Sequence, residues 1–287
     1  MPEIRDEVIE TIAGPTRLRV VGGDGPSPPL VLLHGGPGLT WDYLEEFDAL
    51  ASQGFPVIYY DQLGSGGSSA TPADAVTLER LLTQLEAVLA DTVGGGPYAL
   101  LAHSAGSILG LEHALRRPAG LARMILANGY AASAHAAVSI ARHARSLPPE
   151  QAAAIAASAM GEPAYAAATG TFYSRHVFRV PPSPGLQRTF AALTENPGVG
   201  RRLWGPDVFH LTGQYAGWDV VDRLGELDLP VLVYRGEHDE TGFECMDPIM
   251  AALPHARGMV VPDASHVPHM ERPDVTLRLV QDFLSQT

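Results

Sequence analysis

Short apolar runs that stop at glycine, proline or aspartate alternate along this chain with longer stretches of helical spacing, and that alternation decides which folds are open to it. Leu30–Leu33 ends in His34-Gly35-Gly36-Pro37-Gly38, and Val57–Tyr60 ends in Asp61-Gln62-Leu63-Gly64. Residues 98–102 run directly into His103-Ser104-Ala105-Gly106 and a helical stretch. Residues 123–127, 231–234 and 259–261 read as further strands, while 78–90 and 274–284 carry helical patterns. Strands without polar alternation are buried on both faces, so the pattern predicts a mostly parallel sheet flanked by helices. Between about 130 and 220 the alternation stops. That segment is alanine-rich, helical in pattern and broken by prolines, and it offers no strand for the sheet. The reading is a core of 1–129 and 221–287 with a helical cap of 130–220; the alternative is a core continued through poorly legible elements.

Ala102-His103-Ser104-Ala105-Gly106 sits at a strand-to-helix junction, where a nucleophile elbow carries G-x-S-x-G. The turn is strained and needs small neighbours; here Ala102 replaces the first glycine and Gly106 keeps the second. A serine there stands at a helix N-terminus, where N–H groups and the dipole favour developing negative charge. The plainer reading of Ser104 is a helix N-cap. A serine nucleophile needs a base, and the base needs an acid to fix its tautomer. The α/β-hydrolase fold orders them Ser, acid, His. Strand 231–234 leads into Arg235-Gly236-Glu237-His238-Asp239-Glu240, where Asp239 is preferred to Glu237 and Glu240 as the orienting acid. Strand 259–261 leads to His266 as the base, with His269 its rival. Gly35 and Gly36 let the backbone approach a substrate carbonyl, and the N–H groups of Gly36 and Ala105 would form the oxyanion hole. A simple Gly-Pro turn is the alternative.

The 287 residues can bury a large core without disulfides or metal. A net charge of −13 disfavours nucleic acid and anionic membranes as partners. All 19 basic residues are arginine, so no lysine nucleophile or Schiff base is available. Cys245 is the only cysteine, which excludes an intrachain disulfide and suits a reducing compartment. The first residues are charged where a signal peptide needs an apolar run, and no stretch of about 18 apolar residues occurs. A soluble, cytoplasmic protein is expected. No cofactor is called for, and His266-x-x-His269 is too weak a spacing to claim a metal site.

The chain resembles the proline iminopeptidases, or prolyl aminopeptidases, among them the archaeal tricorn-interacting aminopeptidase. The resemblance rests on His34-Gly35-Gly36-Pro37-Gly38, Asp42-Tyr43-Leu44 and Asp61-Gln62-Leu63-Gly64-Ser65-Gly66. It extends through Phe172-Tyr173-Ser174-Arg175-His176, Trp204-Gly205-Pro206-Asp207-Val208-Phe209 and Gly236-Glu237-His238-Asp239-Glu240, so it covers nearly the whole chain. It implies an α/β-hydrolase fold with a helical cap, and a metal-free serine hydrolase that removes an N-terminal residue from small peptides. It implies a triad of Ser104, Asp239 and His266. It also implies two glutamates binding the substrate's free ammonium group. Glu240 matches one of them. The other falls at Val208, with Asp207 or Glu195 as possible substitutes, and Ala105 stands where the family has Trp or Tyr. Gly35, Tyr173, Trp204, Asp207, Val208 and Glu240 are therefore the expected substrate-binding residues.

Three readings follow. One is an aminopeptidase or aminoacyl hydrolase. Another is an esterase, lactonase or amidase that no longer selects an amine, as Val208 suggests. The third is a non-catalytic binding protein on the same scaffold. Oligomeric state is not legible.

Overall fold

The computed structural model describes residues 2–22, 25 and 27–286. Eight strands form one sheet: β1 Ile4–Thr11, β2 Gly14–Val21, β3 Leu30–Leu33, β4 Val57–Tyr60, β5 Tyr98–His103, β6 Leu121–Ala127, β7 Val231–Gly236 and β8 Arg257–Val261. Their order across the sheet is β1-β2-β4-β3-β5-β6-β7-β8. Only the β1–β2 and β2–β4 pairs are antiparallel; every later pair is parallel. This is the α/β-hydrolase architecture that the alternation predicts. The N-terminal hairpin was not anticipated. Its residues mix charged and apolar side chains, and β1 is largely exposed, so no continuous apolar run marks it.

The doubly buried strands explain themselves residue by residue. Val31, Leu33, Leu100, Ala102 and Leu126 face one apolar layer with Leu81, Leu85, Ile108 and Leu111. Leu30, Leu32, Ala99, Leu101 and Ile125 face the other with Phe47, Leu279 and Phe283. Successive side chains point to opposite faces, and both faces are covered. The helices are α1 Leu78–Thr92 and α2 Gly106–Ala114, then α3 Ser133–Arg145, α4 Pro149–Ala156, α5 Pro163–His176, α6 Pro184–Glu195 and α7 Gly198–Leu203, then α8 Phe243–Ala252, α9 Pro268–Glu271 and α10 Pro273–Leu284. Among the described residues no helix is long and apolar enough to cross a membrane.

Helices α3 to α7 occupy the stretch without strands. Three of its prolines start helices rather than break them: Pro149, Pro163 and Pro184 stand in the first turn, where the missing N–H has no partner to lose. Ser183 caps α6 by accepting the Leu186 N–H at 3.2 Å. That helix is tied to the core at Asp42. Arg188 reaches Asp42 at 3.1 Å and also bonds Glu45. Asp42 further accepts from Arg17 at 2.9 and 3.1 Å and from the Thr40 hydroxyl at 2.6 Å. At the sheet's middle, where β3 lies between β4 and β5, the loops diverge to either side and leave a crevice at the carboxyl ends of the strands. The candidate site opens there.

Candidate active site

Ser104 follows β5 at once, with φ of +54°. That left-handed conformation is costly for a residue with a Cβ and persists only where its surroundings enforce it. The Ser104 N–H is fixed to the Ala127 carbonyl at 2.9 Å. A Cβ on Gly106 would sit 2.8 Å from the His34 carbonyl oxygen and closer still to that of Leu33. A Cβ on Gly35 would sit 2.7 Å from the Ser104 Cβ. Space for the methyl of Ala102 comes from α2: a Cβ on Gly110 would lie 2.9 Å from it.

Asp239 lies beyond β7 and is fully buried. Its Oδ1 accepts from His266 Nδ1 at 2.6 Å and from the Thr241 N–H at 3.0 Å. Its Oδ2 accepts from Asn128 Nδ2 at 2.6 Å and lies 2.8 Å from the Thr241 hydroxyl. Ser104 and His266 line the same cavity. Among the described residues no hydrogen bond joins them; the second ring nitrogen of His266, Nε2, instead faces Glu240 Oε1 at 3.5 Å. Burial works against a charged imidazole, but Asp239 and then Glu240 outweigh it and raise His266 to about 9. The rival His269 is buried elsewhere, donating from Nε2 to the Tyr43 carbonyl at 2.9 Å, and burial lowers it to about 4.

Gly36 has φ of +119°, and a Cβ there would lie 2.9 Å from the amide nitrogens of Gly38 and Leu39. Among the described residues neither the Gly36 nor the Ala105 N–H is used in a hydrogen bond. The loop is braced from behind. His34 Nε2 accepts the Gln62 N–H at 2.9 Å, and the Gln62 side chain donates to the His34 carbonyl at 2.8 Å. Asp61 accepts the N–H groups of Trp41 and Gly67 at 3.1 and 2.9 Å. The Asp61–Gly66 motif is thus a brace rather than part of the cavity wall.

A second brace crosses the site. The Gly35 N–H donates to Tyr43 Oη at 2.8 Å, and that hydroxyl lies 2.7 Å from His103 Nδ1. His103 Nε2 lies 2.8 Å from the His266 carbonyl oxygen, which can only accept. In the neutral ring that burial enforces, Nε2 carries the proton and Nδ1 accepts from Tyr43. The glycine loop, the serine turn and the histidine loop therefore share one hydrogen-bonded chain. Sequence reasoning missed Tyr43, His103, Asn128 and Thr241 as site-building residues. Tyr43 and His103 did lie inside quoted motifs; Asn128, with its left-handed φ of +54° after β6, was marked only by the Asn128-Gly129 pair.

The cavity holds about 280 Å³. Gly35, Tyr173, Trp204, Asp207, Val208 and Glu240 all border it, as does Tyr130, and Leu39, Val177, Phe178, Leu186, Phe190 and Leu193 add apolar lining. Glu240 is buried, and among the described residues its Oε2 accepts no hydrogen bond. Burial raises its carboxyl to about 7, His266 opposing and Asp239 adding. The Asp207 carboxylate is engaged otherwise. It accepts the Phe209 N–H at 3.0 Å, takes a hydrogen bond from the Tyr165 hydroxyl, and lies 2.7 Å from His210 Nδ1. His210 Nε2 in turn lies 2.8 Å from Ser158 Oγ. This second Ser-His-Asp chain is exposed at its serine, and the N–H groups of Ser158, Ala159 and Met160 are all bonded to nearby carbonyls, leaving no donors for an oxyanion. Glu195 is exposed and does not border the cavity. Glu237, His238 and Asp263 bring ligand-type atoms within 4.8 Å of one another, but none of the three borders the cavity, and Glu237 already accepts the Asp263 N–H at 3.1 Å.

The family described as alpha/beta hydrolase fold matches residues 28–273. The chain is 33% identical to the proline iminopeptidase of Lactobacillus delbrueckii subsp. lactis, with 94% of each chain covered. The crystal structure of the proline iminopeptidase of Mycobacterium smegmatis superposes with a TM-score of 0.90 at 34% identity, covering 98% of this chain and 97% of that one. The crystal structure of VinJ does so with a TM-score of 0.91 at 35% identity, covering 99% of each.

Proposed function

As the chain belongs to the alpha/beta hydrolase fold family, and within it to the proline iminopeptidases, it is a hydrolase, and we propose that it is a serine hydrolase removing an N-terminal residue, proline, alanine or a similar small one, from a peptide or an aminoacylated small molecule. Ser104 attacks the carbonyl of that residue. His266 takes the hydroxyl proton and hands it to the leaving amine, with Asp239 fixing its tautomer from Nδ1. The N–H groups of Gly36 and Ala105 hold the oxyanion, and water then releases the acyl group. Helices α3 to α7 act as the cap over this chemistry.

The observation that carries the amine selectivity is Glu240: a buried carboxylate bordering the same cavity as Ser104 and His266, with one oxygen that accepts no hydrogen bond. A buried anion of that kind matches a substrate ammonium, which needs such a partner to leave water. The amine-free esterase, lactonase or amidase reading draws on Val208 and on the prior engagement of Asp207, which leave Glu240 as the one unengaged carboxylate bordering the cavity among the described residues. Arylamides of free proline and alanine, their N-acetylated counterparts and simple esters separate the two. The free-amine compounds should turn over fastest and their acetylated forms should be inert. Ser104→Ala should abolish turnover of all. Faster cleavage of amine-free esters would establish the second reading instead.

A further inference from the structure

The imidazole of His266 lies between two carboxylates, one at each nitrogen. Asp239 holds Nδ1 at 2.6 Å and is itself locked by Asn128 and Thr241. Glu240 faces Nε2 at 3.5 Å, and Nε2 is the nitrogen that must accept the Ser104 proton. Glu240 is not locked: among the described residues its Oε2 accepts nothing, and the residue borders the cavity. The other groups around His266 do not compete for this role. The His103 ring, with its centroid 4.9 Å away, and His269 are both kept neutral by burial. Tyr130 and Tyr173, beside Glu240, are held as neutral phenols by burial. Glu271 adds only a minor attraction and is occupied by the Ser265 hydroxyl at 2.7 Å.

We infer that Glu240 gates the base: its carboxylate occupies the Nε2 side of His266 until a substrate's ammonium group takes the carboxylate over and frees that nitrogen for the Ser104 hydroxyl. The inference builds on the serine-hydrolase reading above and adds to it an order of events. Before binding, His266 carries protons on both nitrogens and cannot accept another. When R–NH3⁺ pairs with Glu240, the Nε2 proton of His266 leaves to water and the ring keeps its Nδ1 proton toward Asp239. The Ser104 proton then moves to Nε2 as the Oγ–carbon bond forms, and passes to the nitrogen of the leaving group as the amide breaks. The same carboxylate thus attracts the right substrate and disables the site toward amine-free ones, so selection operates in the rate as well as in binding.

The test uses a substrate and a probe that carry no amine: a p-nitrophenyl ester, and a fluorophosphonate whose labelling of Ser104 needs the same base. In the wild type both rates should rise with a midpoint near pH 9, where His266 loses its proton. In Glu240→Gln the midpoint should fall by a unit or more and the rate at neutral pH should rise on the order of tenfold. Saturating pyrrolidinium, which offers N–H donors and no scissile bond, should accelerate both reactions of the wild type at neutral pH and leave Glu240→Gln unchanged. Tetramethylammonium, which has no N–H, should do nothing at equal ionic strength. Superimposable pH profiles for the two proteins, or wild-type rates indifferent to pyrrolidinium, overturn the gate. Absence of Ser104 labelling at every pH overturns the gate together with the serine mechanism. A shifted profile in a protein that ignores prolyl and alanyl arylamides upholds the gate and removes the aminopeptidase assignment alone.

Discussion

Asn128 is a single side chain that joins two of the loops around the site. Its Nδ2 donates to Asp239 at 2.6 Å and lies 3.1 Å from the Ser265 carbonyl, so one amide joins the acid loop to the histidine loop. Removing it leaves a buried carboxylate short of one donor, a loss of about 1–3 kcal/mol. Asn128→Ala should therefore lower kcat roughly 10- to 100-fold, with KM little changed, and reduce the stability measured by urea unfolding by a similar energy. An unchanged kcat would mean that Thr241 and His266 suffice to place Asp239. The sequence marks residues 104, 239 and 266 through their places just beyond strands, and the fold puts the last two at 2.6 Å. Nothing in the sequence marks Asn128 as their support, because one amide side chain after a strand is commonplace and its value comes from contacts 111 and 137 positions away. Asp207 is the converse case. Its place beside Val208 suggested an ammonium partner, but the claims of Tyr165, His210 and Phe209 on its oxygens could not be seen without coordinates.

Among elements, central strands such as β3 and β4 were legible because every residue in them is buried and none carries a charge, whereas β1 and β2 escaped because an edge hairpin tolerates charge. The junction of Trp41–Gln53, β2 and α6 at Asp42 was visible only as a motif. Burial opposes ionisation of Asp42, but hydrogen bonds from Arg17, Thr40 and Arg188 outweigh it and hold the carboxyl at about 2. The folded value lies below the unfolded one of about 4. Ionised Asp42 therefore adds stability that is complete above that unfolded value and is lost as pH falls through about 2. Asp42→Asn should be less stable than wild type near neutrality, by about 1–3 kcal/mol, and the two unfolding curves should converge toward pH 2. Curves that stay parallel across the acid range would show that Asp42 titrates alike in both states.

At the scale of the molecule, helices α3 to α7 are tied to the rest of the chain at two places beside the cavity. At one stands the Asp42–Arg188 contact. At the other, the His176 carbonyl accepts the Glu240 N–H at 3.1 Å, and the Ser139 hydroxyl donates to the Glu240 carbonyl at 2.6 Å while accepting the Gly242 N–H at 2.8 Å. Helices fastened in this way should melt with the sheet. Calorimetry should give one transition with equal calorimetric and van't Hoff enthalpies, and an earlier, separate transition would show α3 to α7 melting alone. The same fastening constrains descent. Asp239 and Glu240 are successive residues hung on different supports, the first by its side chain on Asn128 just after β6, the second by its main chain on α3 and α5. A lineage that remodels those two helices to admit new molecules also disturbs the candidate site, whereas a change at the Val208 side chain touches no support of Asp239 or Glu240. Inherited divergence should accumulate first at that freer position of the cleft.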